Sequence, residues 1–380
     1  VDLANNGTTT INTGTAGGTV SFGGAIEGNT AGAPFNDLLV ITSGTGDVTF
    51  SGAIGATNAL GGLSVNASSG DGNITFSSTI GDTSNPGVVG TTSIGNTDTA
   101  DLNFNAATYS FDGGTTTITA ASGDTIDMGA LADTSFTTAA DNITFATGTI
   151  ELLNGSNLTV DTGATGGDIT IASIAGTSVE TVTLDAGTGA LSVGAIGSGT
   201  EIGAVTLGST DDGTVTLNGA IKTDGNVTIT GPVSLATGAI SVTTTNDNIT
   251  FNDTINGTRA LTLVAGTGTT TIQGEIGGSS ALASLTITNG TANGAIEIAN
   301  IGGVTGATAI GNTNTGTITL DGTAYSTAGT QTYTAAAGQN IDITGAATFT
   351  TTNDNVSFAT SGVDLANNGT TTINTGTAGG

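Results

Sequence analysis

The chain has 380 residues and carries 30 acidic residues against two basic ones, Lys222 and Arg259, which gives a formal net charge of −28. Such a polyanion repels phosphate groups, so we expect neither nucleic acid nor anionic membrane surfaces as partners. The chain contains no His and no Cys, which excludes disulfides, thiolate metal sites and the commonest acid–base residue of enzymes. No apolar run approaches the roughly eighteen residues of a membrane helix, so we expect no membrane insertion.

Short alternating segments separated by Gly, Asn and Asp recur along the whole chain. In DVTF (47–50), the two apolar residues point to one side and the two polar residues to the other, which is the period of a β-strand. We expect Val, Ile, Leu and Phe to fill the interior, while Thr, Asn and Ser face water. The same frame of strand, corner, loop and strand is repeated in DVTFSGAIGATNALGGLSV (47–65), TVTLNGAIKTDGNVTI (214–229) and TTIQGEIGGSSALASLTI (270–287).

Isoleucines at the corners of this frame set a short period. Ile26, Ile54 and Ile80 follow one another at spacings of 28 and 26, and Ile196 and Ile221 follow at a spacing of 25. One coil of a β-solenoid has about this length. We therefore predict an all-β fold, a parallel β-helix. Tandem immunoglobulin-like sandwiches of about a hundred residues each are the alternative.

Longer repeats enclose the short ones. TTAADNITF (137–145) returns as TTTNDNITF (243–251) and TTTNDNVSF (350–358), so internal units end near 145, 251 and 358. SIGNTDTADLNFNAATYS (93–110) likewise matches AIGNTNTGTITLDGTAYS (309–326), which aligns Tyr109 with Tyr325.

The first eighteen residues, VDLANNGTTTINTGTAGG, recur unchanged at 363–380, which gives a period of 362 residues (363 − 1). We therefore predict that residues 1–380 form one continuous solenoid segment, in which 363–380 begin the next period. At about 22–25 residues and roughly 4.8 Å per coil, one period would span about 70–80 Å.

Carboxylates beside carbonyl-rich turns make calcium the one cofactor that the sequence indicates, because Ca²⁺ prefers oxygen ligands. The turns are SGDGN (69–73), STDDG (209–213) and TTNDN (244–248 and 351–355). The competing interpretation is structural, since Asp and Asn at corners bond to nearby backbone. No acid–base set for catalysis stands out, so we expect no enzyme. The candidate calcium ligands are Asp71, Asp211, Asp212, Asp247 and Asp354.

Two irregular insertions, NTAGAPFND (29–37) and GDTSNPGVVGTT (81–92), depart from the coil frame. Connecting segments of this kind often carry binding sites on a rigid scaffold. They are the candidates for a recognition loop or for a lateral contact between fibres.

The phrases GAIG…LGGLSV, DVTFSG and NVTITG, in a background rich in Gly, Thr and Asn, resemble the β-strand repeats of giant secreted bacterial surface proteins. These proteins are similar to filamentous-haemagglutinin-type adhesins. The resemblance implies a right-handed β-helical shaft, export to the cell surface and a role in adhesion or matrix. We thus expect the structural shaft of a long extracellular filament whose partners are copies of itself. The alternative is an adhesin that recognises surface glycans through projecting loops.

Overall fold

The computed structural model describes residues 1–3, 6–29, 36–66, 71–82, 84–129, 133–153, 155–176, 180–208, 213–290, 293–359, 362–365 and 369–377. Within these ranges every regular element is a β-strand, and the strand pairs run parallel. The chain forms two compact units. Unit 1 contains residues 1–201 and 208–213, and unit 2 contains residues 202–207 and 214–380.

Unit 1 is built from eighteen short strands, most of them three to five residues long. They are β1 (Thr8–Asn12), β2 (Val20–Phe22), β3 (Leu38–Thr42), β4 (Val48–Phe50), β5 (Gly62–Val65), β6 (Ile74–Phe76), β7 (Thr92–Ile94), β8 (Leu102–Phe104), β9 (Thr108–Ser110), β10 (Thr116–Ile118), β11 (Thr125–Met128), β12 (Thr134–Thr137), β13 (Ile143–Phe145), β14 (Thr149–Leu152), β15 (Leu158–Asp161), β16 (Ile169–Gly176), β17 (Val182–Asp185) and β18 (Leu191–Ile196).

The strands of unit 1 stack into three parallel sheets, which the chain visits in turn. Sheet 1 contains β2, β4, β6, β8, β11 and β14, followed by the second halves of β16 and β18. Sheet 2 contains β1, β3, β5, β7, β10 and β13, followed by the first halves of β16 and β18. Sheet 3 contains β9, β12, β15 and β17, and single bridges through Ile26, Ile54 and Ile80 extend it.

Unit 2 contains twenty-one further strands of the same kind. They are β19 (Val205–Leu207), β20 (Val215–Leu217), β21 (Ile221–Thr223), β22 (Val227–Ile229), β23 (Val233–Leu235), β24 (Ile240–Thr244), β25 (Ile249–Phe251), β26 (Ile255–Asn256), β27 (Ala260–Val264), β28 (Thr270–Ile272), β29 (Ser284–Thr288), β30 (Ile296–Ile298), β31 (Thr308–Ile310), β32 (Ile318–Leu320), β33 (Ala324–Ser326), β34 (Gln331–Thr334), β35 (Asn340–Ile343), β36 (Ala347–Thr350), β37 (Val356–Ala359), β38 (Gly362–Leu365) and β39 (Thr371–Asn374).

Unit 2 also has three parallel sheets. Sheet 4 contains β21, β24, β27, β29, β31, β34 and β37. Sheet 5 contains β20, β23 and β26, continues through single bridges at Ile276 and Ile301, and ends with β33, β36 and β39. Sheet 6 contains β19, β22, β25, β28, β30, β32, β35 and β38.

Each unit is thus a parallel β-solenoid, as predicted, and each coil contributes three strand segments. In unit 1, Val20 faces Val48 and Val48 faces Ile74, so two successive coils run from 20 to 48 and from 48 to 74. In unit 2, Ile221 faces Val242, so this coil is shorter than either of those two. The parallel pairing excludes the alternative of immunoglobulin-like sandwiches, whose sheets are antiparallel. The right-handed twist of the coils stays a prediction.

The interior follows the predicted alternation. In β6, Ile74 and Phe76 are fully buried, and Thr75 between them points outward. Burial of apolar side chains on successive coils is the main stabilising contribution in a solenoid, because each coil contacts only its neighbours.

The expectation that Thr faces water is wrong at several positions. Thr92 and Thr116 lie directly opposite each other in sheet 2, and both are fully buried. Their hydroxyl oxygens have no hydrogen-bond partner within the described part of the chain, and the same holds for Thr270 and Thr308 in unit 2. The β-branched side chain of Thr fits the inward-facing row of the sheet, but burying its hydroxyl group without a partner reduces the stabilisation that packing provides.

Candidate functional site

A column of aromatic rings runs through the interior of sheet 1. Phe22, Phe50, Phe76 and Phe104 stack face to face, with centroid distances of 5.3, 4.8 and 5.2 Å. Each ring comes from the last residue of a three-residue strand, so the column holds successive coils in one register.

A ladder of Asp and Asn side chains connects the corners of the coils. Asp47 Oδ1 accepts the backbone N–H of Asn73 at 2.9 Å, and Asn73 Oδ1 accepts that of Asp101 at 3.2 Å. Asp101 Oδ1 in turn accepts the backbone N–H of Thr125 at 3.1 Å. The structural interpretation of corner Asp and Asn residues is therefore confirmed here. A second ladder of this kind contains Asn142, Asp168 and Ala190.

The repeated phrase that ends in Phe contains a small turn motif. In each copy a Thr hydroxyl donates a hydrogen bond to the carbonyl oxygen of the Asp three residues later, at 2.5–2.7 Å. This bond closes the corner before the next strand. The three pairs are Thr138 with Asp141, Thr244 with Asp247, and Thr351 with Asp354.

Two of the candidate calcium ligands lie in these turns, at different corners of unit 2. Asp247 lies where the chain passes from sheet 4 to sheet 6, and Asp354 lies where it passes from sheet 5 to sheet 4. The structure therefore does not bring these two carboxylates together. Asp211 and Asp212 lie outside the described residues.

Asp71 lines a surface groove of about 380 Å³ at a corner of unit 1. Its backbone N–H donates to the carbonyl oxygen of Gly44 at 3.0 Å, which fixes the turn against the preceding coil. Asp98, on the next coil, places a second carboxylate in the groove. The sequence did not single out Asp98 as a ligand, although NTDTAD (96–101) indicates a turn at this point. The groove is lined by Asn12, Gly14, Thr15, Thr42, Gly44, Thr45, Asp71 and Asp98.

Calcium binding stays a prediction. Among the described residues, no three carboxylates lie close enough to form a metal-binding group. Asp71 and Asp98 could contribute two ligands, but a calcium ion takes six to eight oxygens.

The second predicted insertion (81–92) borders a smaller groove of about 170 Å³. Asp82 Oδ1 accepts the backbone N–H groups of Ser84 at 2.7 Å and Asn85 at 2.8 Å. These hydrogen bonds, that from Ser84 above all, hold the pKa of Asp82 below its usual value. The first insertion (29–37) lies mostly outside the described residues. The groove is lined by Ser84, Asn85, Pro86, Ser110, Phe111, Asp112, Thr137, Thr138 and Ala139.

Burial raises the pKa of Asp127 above its usual value. Asp127 lies on the outer row of sheet 1, between Asn103 and Glu151 on the neighbouring strands. Desolvation is the main cause, and the negative charge of Asp101 adds to it, while a hydrogen bond from Thr125 acts in the opposite direction.

Tyr109 and Tyr325 have equivalent surroundings, which confirms the alignment of 93–110 with 309–326. The hydroxyl oxygen of Tyr109 accepts the N–H of Ala106 at 2.9 Å, and that of Tyr325 accepts the N–H of Gly322 at 2.8 Å. Each ring stacks on a Phe of the next coil, with centroids 4.9 and 4.8 Å apart. Burial raises the pKa of both tyrosines.

The coil formed by β37, β38 and β39 exposes apolar side chains. Leu365 is 56% exposed and Ile373 is 54% exposed. The same Leu in the first copy of the repeated segment, Leu3, is only 5% exposed, because the following coil covers it. Among the described residues, the exposed large hydrophobic side chains all belong to the two copies of this segment: Val1, Val363, Leu365 and Ile373.

No protein-family model, curated protein or solved structure matches this chain. Within the described ranges, no helix has the length and apolar character needed to cross a membrane.

Proposed function

We propose that the chain is a structural segment of a long extracellular filament, built from stacked β-solenoid coils. The observation that carries this proposal is the in-register stacking of like residues on successive coils, seen in the Phe column and in the Asp and Asn ladder. Such stacking propagates from coil to coil without a metal or a disulfide, so a solenoid can extend over many repeats. The segment repeated unchanged after 362 residues supports the same conclusion.

The resemblance to filamentous-haemagglutinin-type surface proteins belongs to this proposal. It supports export to the cell surface and a shaft made of many periods. The −28 charge favours solubility of such a filament and disfavours non-specific contact with nucleic acid.

Electron microscopy of filaments isolated from the native cell surface tests the proposal. Antibodies against the chain should label thin filaments whose axial repeat is about 70–80 Å, the length of 362 residues in stacked coils. A string of beads spaced by about 40 Å, or labelling confined to a non-filamentous fraction, would contradict the proposal.

The second candidate function is that of an adhesin, and the groove lined by Asp71 and Asp98 favours it. The lining offers hydroxyl, amide and carboxylate groups without a cation, which suits hydrogen bonding to a neutral glycan. A glycan array tests this function. Binding that is abolished in Asp98→Ala would support the adhesin, whereas the absence of any signal would favour a shaft alone.

A further inference from the structure

We propose that four exposed asparagines at the corners of the coils are acceptor sites for glycosylation, in which a sugar is attached to the side-chain amide nitrogen Nδ2. Each of them begins the sequence Asn-x-Thr, the acceptor pattern for this modification, and each directly precedes a strand. The modification would add to the filament function and does not depend on it. The four residues are Asn73, Asn142, Asn226 and Asn248.

The side chains of these asparagines are held through their oxygen atoms. Asn142 Oδ1 accepts the backbone N–H of Asp168, and Asn248 Oδ1 accepts that of Thr269, both at 2.8 Å. Asn142 and Asn248 are exposed, and their Nδ2 groups make no hydrogen bond within the described part of the chain. The bond to the next coil therefore uses the oxygen and leaves the nitrogen accessible at the surface.

The other two corners have the same arrangement. Asn73 Oδ1 accepts the backbone N–H of Asp101 at 3.2 Å, and Asn226 Oδ1 accepts that of Asn248 at 2.9 Å. Asn73 and Asn226 are also exposed. A sugar on Nδ2 leaves the acceptor oxygen in place, so the ladder of hydrogen bonds and the modification are compatible.

The Thr of each pattern lies on the outer face of its strand. Asn142 and Thr144 are two residues apart along extended backbone, so their side chains leave it on the same side. Ile143 between them is fully buried. The folded corner thus presents the amide and the hydroxyl of the pattern together at the surface.

Two further Asn-x-Ser/Thr patterns serve as internal controls, because their amide nitrogens are occupied. Asn66 is fully buried, and its Nδ2 donates to Ser43 Oγ at 2.9 Å. Asn157 Nδ2 donates to Asp133 Oδ1, also at 2.9 Å. A sugar on either nitrogen would displace one of these hydrogen bonds, so we expect both residues to stay unmodified in the folded chain.

The transfer requires a transferase and a nucleotide-activated hexose. The Nδ2 atom attacks the anomeric carbon of the hexose, and the bond from that carbon to the phosphate oxygen breaks. The nucleoside diphosphate leaves with the bonding electron pair, and a base of the transferase takes one proton from Nδ2. The product is an N-linked glycoside.

Two of the four acceptors compete with each other. Val227 faces Ile249 in sheet 6, so Asn226 and Asn248 lie on neighbouring coils. Neighbouring strands are about 4.8 Å apart, and a sugar on one of these asparagines would therefore cover the amide of the other. We expect one of the two to be modified in each chain.

Mass spectrometry of the chain purified from the cells that produce it tests the proposal. Fragmentation by electron transfer, which leaves the sugar attached, should locate the mass of a hexose or a larger glycan on Asn73, on Asn142 and on one member of the competing pair. Asn66 and Asn157 should carry none. Unmodified Asn73 and Asn142, or equal modification of Asn66 and Asn157, would overturn the proposal.

Substitutions in one row of sheet 2 separate glycosylation from folding. Thr144→Val removes the hydroxyl of the pattern but keeps the β-branched shape, so it should abolish modification of Asn142 and leave that of Asn73 unchanged. Thr144→Ser should retain both. Thr170→Val is the matched control, because Thr170 lies directly opposite Thr144 and belongs to no such pattern. Modification of Asn142 that persists in Thr144→Val, or is lost equally in Thr170→Val, would contradict the proposal.

Discussion

Removing one ring from the middle of the Phe column should destabilise unit 1 strongly but locally. Phe76 is fully buried, and its ring lies between those of Phe50 at 4.8 Å and Phe104 at 5.2 Å. Phe→Ala in a close-packed interior costs about 3–5 kcal/mol. Two stacked pairs account for about 1–3 kcal/mol of this cost, at about 0.5–1.5 kcal/mol per pair. Phe22→Ala is the matched control, because Phe22 has one stacked neighbour in place of two.

Hydrogen exchange read by mass spectrometry is the appropriate assay, because unfolding of a repeat protein need not be two-state. In Phe76→Ala, the amides of β4, β6 and β8 should lose most protection, while those of β15 and β17 should change little. The loss should be smaller in Phe22→Ala, by about one stacked pair or about 0.5–1.5 kcal/mol. An equal loss of protection across the whole unit, or equal effects of the two substitutions, would refute nearest-neighbour stabilisation by the column.

Three further predictions follow from single side chains. Asn73→Ala removes the acceptor for the N–H of Asp101 and should lower the free energy of unfolding by about 1–2 kcal/mol in chemical denaturation, whereas Asn73→Asp keeps an acceptor and should cost less. Asp127→Asn should stabilise the protein at neutral pH, since the raised pKa shows that the ionised form is disfavoured in the fold. That gain should shrink as the pH falls through the raised pKa, and a pH-independent gain would contradict the assignment. Gly52→Ala places a Cβ against the backbone of Gly24 on the preceding coil and should lower the thermal midpoint, at a cost of about 1–3 kcal/mol, whereas a Cβ on Gly24 meets nothing and Gly24→Ala should change the midpoint little.

The sequence was sufficient for the fold class because the signal is repeated on every coil. Alternation such as that of Val48 and Phe50 predicts a strand, and the recurring Ile26, Ile54 and Ile80 predict a coil length that the bridges between them confirm. Burial of Thr could not be predicted in this way. Thr92 has the same β-branched shape as Val, so whether its side chain faces the interior or the solvent depends on the residues stacked above and below it.

The relation between the long repeat and the coil could not be read from the sequence. Phe251 and Phe358 end the same phrase, but they lie in sheets 6 and 4 of unit 2. The residues between them therefore do not make up a whole number of coils. The sequence does not show this, because the corners of the coils differ in length. The sequence likewise indicates Asp71 as a candidate calcium ligand but not Asp98, because Asp98 reaches the groove only through the stacking of its coil on that of Asp71.

Fibre X-ray diffraction of aligned native filaments tests the central claim most directly, because it reports the direction in which the strands are stacked. Coils stacked along the filament should give a strong reflection at about 4.7–4.8 Å on the meridian, parallel to the fibre axis. A reflection at about 4.7–4.8 Å on the equator would mean that the strands run along the filament, and this result would contradict a filament built from stacked solenoid coils.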